Sequence, residues 1–386
     1  MYSIADYGAM IADEVRMDAF VRGLRQAVRP GAVVIDIGTG TGIFALLACR
    51  FGARRVYAIE PDDAIQVARE IAAANGCADR IAFFQAMSTQ VTLPERADVI
   101  ISDIGGVLPW FQRHIPSIVD ARRRLLAPGG VLIPQRDTAW AAVVEAADEY
   151  ARQTGPWHDN RFGLDMDAAR RIVTNSWNKA RVTAENVLTD LQRWATVDYA
   201  TVEDPDIRAA VTWTVRRAGV GHGLAAGFDR IVFGEACLSN APDAPDAIRP
   251  KRIYGTVLFP WPAPVMLAAG DVVTADLEAR LVGDEYVWTW NTRVRDRGGA
   301  AREKATFAQS TFFGAPLSPA QLAKRAATYR PTLNEDGHML CVVLESMREG
   351  TALGKIVDLI AERFPGRFKS PQEALGYVGD LARKHG

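Results

Sequence analysis

The stretch "AVVIDIGTGTGIFAL", from Ala32 to Leu46, restricts the fold more than any other part of the chain. It joins a short continuous apolar run to a second apolar run of helical spacing through three glycines, Gly38, Gly40 and Gly42. Continuous apolar strands belong in parallel sheets covered on both faces. Glycines at a strand-to-helix turn permit positive φ and let a ligand approach the backbone. The rhythm continues with "RRVYAIE", "DDAIQVAREIAAANG", "RIAFFQA", "ADVIISD" and "GGVLIP". Alternation of this kind predicts an α/β fold with a doubly wound parallel sheet up to residue 134. Asp36 and the glycines interrupt the apolar stretch, so it reads as strand, turn and helix and not as a membrane span.

Past Pro134 the runs "TAWAAVVEAA", "RIVFGEACL", "YGTVLF", "VVTADLEARLV" and "YVWTWNTRV" are strand-like and separated by Gly, Pro and Asp. They predict a β-barrel or sandwich. Within it, residues near 155–190 are polar and partly helical, an arm suited to reaching a partner subunit. After "FFGAPLSP" three segments have helical apolar spacing, and the last opens on Ser370, Pro371 and Glu373, the marks of a capped helix start. The expected organisation is an α/β domain over 1–134, a β-barrel domain over 135–315 and a small three-helix module over 316–386.

The chain has 386 residues, with 45 Lys and Arg against 46 Asp and Glu. Proteins held chiefly on nucleic-acid phosphates are basic, so nucleic acid is not the expected partner. Cys49, Cys77, Cys237 and Cys341 are dispersed, without a CxxC or a neighbouring His pair. No metal centre and no disulfide framework are therefore expected, and the location expected is cytoplasmic. The opening "MYSIADYGAMIADEVR" has early acids and lacks the apolar core of a secretory signal.

A dinucleotide fingerprint would place its third glycine at position 43, which is Ile here. Asp36, two residues ahead of Gly38-Thr39-Gly40-Thr41-Gly42, resembles instead the first motif of class I S-adenosylmethionine methyltransferases. Glu60 ends the next strand, where an acid accepts hydrogen bonds from both ribose hydroxyls. Upstream, Met10, Asp13 and Arg16 share a helical face by spacing, and the planar fork of Arg16 suits the donor's carboxylate. The alternatives are a glycine turn with no ligand, another nucleotide, and an Arg16 that is merely solvated.

"MIADEVRMDAF", "VVIDIGTGTGIFALLACRFGARRVYAIE" and "ADVIISDIGG" are similar to the N-terminal helix, first motif and substrate loop of protein arginine methyltransferases. The likeness extends more weakly to "FGLDMDAAR", "GVGHGLAAGFDRIVF" and "YGTVLFPWPAPVMLAAGDVVTADLEARL", so it covers about 7–300. It implies a methyltransferase domain plus β-barrel, and a homodimer built head to tail through the arm. It also implies that Arg16, Asp36, Gly38, Gly40 and Glu60 hold S-adenosylmethionine, that Met87 and Ser88 lie near its adenine, and that Asp103 is the first acid of the substrate loop.

The chain departs from the family in three places. The second acid of that loop is Gln112, and the Thr-His-Trp loop reads Lys251-Arg252-Ile253. The third departure is the appended C-terminal module. Two carboxylates suit a guanidinium. One acid and one amide suit a neutral planar group, Asp103 accepting N–H and Gln112 donating to C=O. An asparagine carboxamide in a ribosomally synthesised precursor peptide fits that pair, with Asp103 and Gln112 as the catalytic residues. Arginine on a peptide or protein is the rival acceptor, a non-catalytic regulator binding the donor or DNA is a second rival, and Gln112 as a plain surface residue is the bland alternative.

"MLCVVLESMREGTALGKIVDLIAERFPGRF" resembles the helical part of a PqqD-like peptide-recognition element, a winged-helix fold that binds leader segments. A DNA-binding helix-turn-helix and a stabilising cap on the barrel compete with it. Residues 318–386 hold ten Lys and Arg against eight Asp and Glu, a mild balance for a DNA reader. His114 lies near the substrate loop as a proton-transfer candidate or a helix-surface residue, and His222 reads as structural. Trp288 and Trp290 lie on one predicted strand, one of them facing the core.

Overall fold

A computed structural model describes residues 2–297 and 302–386. The chain divides into two compact units, Met1–Pro316 and Leu317–Gly386.

The first unit begins with helices α1 (Ile4–Ile11) and α2 (Glu14–Ala27), followed by β1 (Val33–Ile37), α3 (Ile43–Arg50), β2 (Arg55–Ile59), α4 (Ala64–Ala74), β3 (Ile81–Phe84), β4 (Ala97–Ser102), α5 (His114–Arg124) and β5 (Leu126–Ile133). The five strands form one parallel sheet in the order β3-β2-β1-β4-β5. Every residue of β1 is buried, and successive side chains enter different cores. Val33, Ile35 and Ile37 pack with Ile115 and Ile118 of α5, while Val34 packs with Phe20 and Leu24 of α2 and Ala45 and Ala48 of α3. Burial on both faces explains why the strand reads as unbroken apolar sequence. The chain runs outward from β1 in one direction and returns through β4 in the other, so the sheet has its topological switch point between those two strands.

The rest of the unit comprises β6 (Arg136–Val144), α6 (Ala147–His158), α7 (Asp167–Val173), β7 (Asn178–Ala180), β8 (Gln192–Asp198), β9 (Ile207–Thr214), β10 (Gly219–Phe233), β11 (Ala236–Ser239), β12 (Thr256–Leu267), β13 (Val272–Val282), β14 (Glu285–Arg295) and β15 (Glu303–Phe307). These form two antiparallel sheets, β7-β12-β10-β6-β8 with β11 beside β10, and β15-β14-β13-β9. Position 134 falls between β5 and β6, yet the core does not stop there: Ile35, Trp110 and Ile115 belong to the same buried cluster as Trp213, Phe259 and Trp290. Helix α2 packs against β10 and β11 as well as α3. Both Trp288 and Trp290 are buried, because residues two apart on β14 face the same way. The expected arm holds α7, flanked by α6, with the exposed Phe162 and Leu164 in the turn between them.

The second unit contains α8 (Pro319–Ala323), α9 (Glu335–Arg348), α10 (Leu353–Arg363) and α11 (Pro371–His385). Val343, Ile356, Val357, Ile360, Ala374 and Val378 form its core. The Ser370 hydroxyl caps α11 through the Glu373 N–H at 3.2 Å, and the Glu373 carboxylate reaches back to the Lys369 N–H at 2.7 Å. No strand occurs among the residues of this unit, so the wing of a winged-helix or PqqD-like fold is missing and its helices pack on one another instead. No helix among the described residues is long and apolar enough to cross a membrane.

Candidate active site

The glycine turn follows β1 at the switch point, where open α/β sheets bind ligands. Gly38 (φ 73°), Gly40 (φ 52°) and Gly42 (φ 87°) all take left-handed backbone. A Cβ on Gly38 would lie 2.3 Å from Ile104, and one on Gly40 would lie 2.3 Å from the Tyr7 ring of α1. The Gly40 N–H donates to Glu60 Oε2 at 3.0 Å and the Asp62 N–H to Glu60 Oε1 at 3.1 Å, so each oxygen keeps a lone pair. Desolvation raises the Glu60 carboxyl above its ordinary range. Asp36 is 1% exposed, and its Oδ2 accepts from the Thr39 hydroxyl at 2.6 Å and the Ala45 N–H at 3.0 Å. Its Oδ1 has no hydrogen-bond partner, and burial pushes the carboxyl up to about 7. A close-approach turn, an acid with two accepting oxygens and an orphaned buried acceptor together fit the diol and amine of a nucleoside that carries an amino acid.

Asp103 lies just past β4 on the other side of the switch point. Its Oδ2 accepts from Arg16 Nε at 3.0 Å, from Arg16 Nη2 at 2.7 Å and from the Tyr254 hydroxyl, and its Oδ1 accepts from Arg230 Nη1 at 2.7 Å. Burial alone would raise this carboxyl, but the guanidiniums of Arg16 and Arg230 and the Tyr254 hydroxyl outweigh it and hold it below its ordinary range. Arg230 also donates from Nε and Nη2 to Asp137 at 2.8 Å each. The two residues are register partners on β10 and β6. The Tyr199 hydroxyl donates to Asp137 Oδ2 at 2.7 Å and lies 3.0 Å from His114 Nε2. Desolvation, reinforced by the Arg230 charge, lowers His114 to about 4 and keeps it neutral.

The structure brings Arg16, Asp103 and the glycine turn together, with Glu60 and Asp36 beside the turn. Met10, Asp13 and Arg16 do not share a single helix: Met10 is in α1, whereas the Asp13 carboxylate caps α2 by accepting from the Arg16 N–H at 3.1 Å. Met10 and Arg16 still meet, through a 3.2 Å bond from Arg16 Nη1 to the Met10 carbonyl. Asp13 Oδ2 also accepts from the Lys251 and Arg252 N–H groups at 2.9 and 2.7 Å, so this loop is held by its backbone whatever its side chains. Ser88 is buried and Met87 is 41% exposed.

Gln112 is not brought to Asp103. It is exposed, has a left-handed backbone (φ 43°), and its amide nitrogen lies 3.5 Å from Glu285 Oε1. His114 is buried at the start of α5 and is not on the helix surface, because Tyr199 and Gly105 close over its ring. His222 is buried too, and its Nδ1 accepts from the Ala146 N–H at 3.3 Å.

Arg230, Asp137, Tyr254 and Tyr199 are the site residues that sequence reasoning missed. A signal existed for two of them. Asp137 and Arg230 are charges bordering apolar strand runs, "AWAAVV" after Asp137-Thr138 and "IVF" after Asp229-Arg230, and a charge drawn into such a strand needs a buried partner. Nothing local marked Tyr254 except the loop before "GTVLF", where it adopts φ 53°.

The sequence profile of the family described as ribosomal protein L11 methyltransferase matches residues 19–143. The probable protein arginine N-methyltransferase 6 of Arabidopsis thaliana is 30% identical over 236 residues, 59% of this chain and 54% of that protein. The chain thus spans about half the length of the curated relatives it matches. The structure of Arabidopsis thaliana protein arginine methyltransferase 10 superposes with a TM-score of 0.68 at 20% identity, covering 80% of this chain and 97% of that one. The Trypanosoma brucei PRMT1 enzyme-prozyme heterotetrameric complex with AdoHcy gives 0.70 at 20% identity, with 80% and 98% covered. In its first unit, the chain has the two-part fold of the protein arginine methyltransferases, a parallel α/β sheet followed by an antiparallel β-sandwich.

Proposed function

We propose that this chain is an S-adenosylmethionine-dependent N-methyltransferase acting on a side-chain nitrogen of a peptide or protein. The observation that carries this reading is the three-glycine turn, closed to any Cβ at Gly38 and Gly40, with the accepting oxygens of Asp36 and Glu60 beside it at the switch point. Glu60 accepts from the ribose hydroxyls, Arg16 offers its remaining N–H to the donor carboxylate, and Met87 and Ser88 flank the adenine. The donor supplies a sulfonium methyl whose bond to sulfur breaks, leaving its electron pair on sulfur, as the N–CH3 bond forms. The residues of the chain orient the acceptor lone pair and receive the proton that nitrogen loses. Methyl transfer to a neutral carboxamide nitrogen leaves that nitrogen positively charged and strongly acidic. Asp103 therefore accepts the proton it sheds, even though the carboxyl itself is held below its ordinary range, and the neutral N-methyl amide remains.

The acceptor favoured is an asparagine side-chain amide in a ribosomally synthesised precursor peptide, recognised in part through residues 316–386. The presence of one acid in the loop, where a guanidinium clamp needs two, supports it. The arginine N-methyltransferase names of the relatives favour the second reading, arginine on a peptide or protein. A homodimer assembled through the region of α6 and α7 accompanies either reading. The test is calorimetric binding of S-adenosylhomocysteine, then fragment mass of Asn-rich peptides with a leader and of Arg-rich peptides after incubation with S-adenosylmethionine. One methyl mapped to Asn and lost with the leader supports the first reading, and methyl on Arg supports the second. Failure to bind the nucleoside sinks both.

A further inference from the structure

The inference here rests on the methyl-transfer reading and concerns the acceptor. The acid that faces the acceptor is already engaged, Oδ1 with Arg230 and Oδ2 with Arg16 and Tyr254. Arg230 is fixed from every side. Its side chain is 1% exposed, and its guanidinium lies over the Phe228 ring at 4.7 Å and the Tyr254 ring at 5.5 Å. It makes a two-pronged pair with Asp137, whose side chain is fully buried. The four charges of the cluster cancel, Arg16 and Arg230 against Asp103 and Asp137.

We propose that Arg230 is a specificity-determining residue, an internal guanidinium that occupies the acid face of Asp103 and restricts the acceptor to a neutral nitrogen of the carboxamide class. A protonated guanidinium entering this cluster would leave it with a net buried positive charge and no unpaired carboxylate to meet it. Gln112, exposed and beside Glu285, brings no charge to offset it. Arg230 cannot step aside without leaving Asp137 a buried, unpaired anion. A carboxamide adds no charge, and its N–H can donate to the lone pair that Oδ1 retains.

The full-length protein is first titrated calorimetrically with S-adenosylhomocysteine. Absence of binding overturns the methyl-transfer reading and this inference with it, whereas the results below bear on the inference alone. With the nucleoside saturating, a Gly-Arg repeat peptide is titrated into the wild-type chain and into Arg230→Gln, which vacates the acid face. The wild type should show no saturable binding, and the variant should bind at least about tenfold above that detection limit. Arg-peptide binding or methylation by the wild type, or a folded variant that binds no better, overturns the inference. Should the variant not fold, a crystal structure of the wild-type complex with S-adenosylhomocysteine decides. Arg230 within hydrogen-bonding distance of Asp103 supports the assignment, and Arg230 turned away from Asp103 overturns it.

Discussion

Asp36, in β1, and Asp103, just past the end of the neighbouring β4, differ in where their partners come from. Asp36 is bonded by Thr39 and Ala45, three and nine residues along the chain. Asp103 is bonded by Arg16, Tyr254 and Arg230, at separations of 87, 151 and 127 residues. The partners of the first are a neutral hydroxyl and an amide, so burial wins and its carboxyl rises to about 7. The partners of the second include two cations, so burial loses and its carboxyl falls. The lesson is that depth alone does not decide a carboxylate's charge. The charge on the groups folded against it does.

The largest effect should come from breaking the long-range half. Asp137→Ala leaves Arg230 buried with only Asp103, and should lower stability by about 3–5 kcal/mol, read from urea unfolding. A loss below about 1 kcal/mol would mean that the pair is not buried as described, and the comparison with Asp36 would fail.

A break in the local half should spare the fold and weaken the ligand. Gly40→Ala puts a Cβ against Tyr7 at a φ of 52°, which should cost about 1–3 kcal/mol locally. Calorimetry should show that strain as a loss of S-adenosylhomocysteine affinity of about tenfold or more, while unchanged affinity would remove the turn from the site.

The pH dependence sharpens the contrast. The folded-state pKa of Asp36 is raised from 3.8 to about 7, so between those values the folded chain holds a proton that the unfolded chain has released, and stability falls as pH rises. His114 is lowered from 6.5 to about 4, so across most of that window the unfolded chain holds the extra proton, and stability rises with pH. Asp36→Asn should therefore tilt the urea midpoint upward with pH relative to wild type, and His114→Gln should tilt it downward. Parallel profiles for the three proteins would refute both assignments.

The smallest effect is expected at Gln112, exposed and weakly bonded. Gln112→Ala should change stability by less than about 0.5 kcal/mol in the same unfolding assay. A larger loss would place Gln112 within the long-range cluster after all.

These differences track what could be read along the chain. The turn after β1 was legible because its glycines, Asp36 and Glu60 lie within one βαβ segment, and their geometry follows from local backbone rules. Gln112 was matched to Asp103 by its position in the loop, but its left-handed backbone and Glu285 of the distant strand β14 carry it to the surface. His114 looked like a helix-surface residue because the groups that bury it, Tyr199 foremost, come from another sheet. The helices of the second unit were visible in their caps and spacing. The wing expected with them depended on strands that those residues do not form.

What the sequence by itself determined is the glycine turn with Asp36 and Glu60 beside it and the class of fold, since apolar periodicity and turn geometry act within one strand-helix-strand segment. What only the tertiary structure decided is the cluster around Asp103. Arg230 and Tyr254 reach Asp103 because β10 and the loop before β12 fold back over the switch point, and no local rule specifies which distant cation will meet a buried acid.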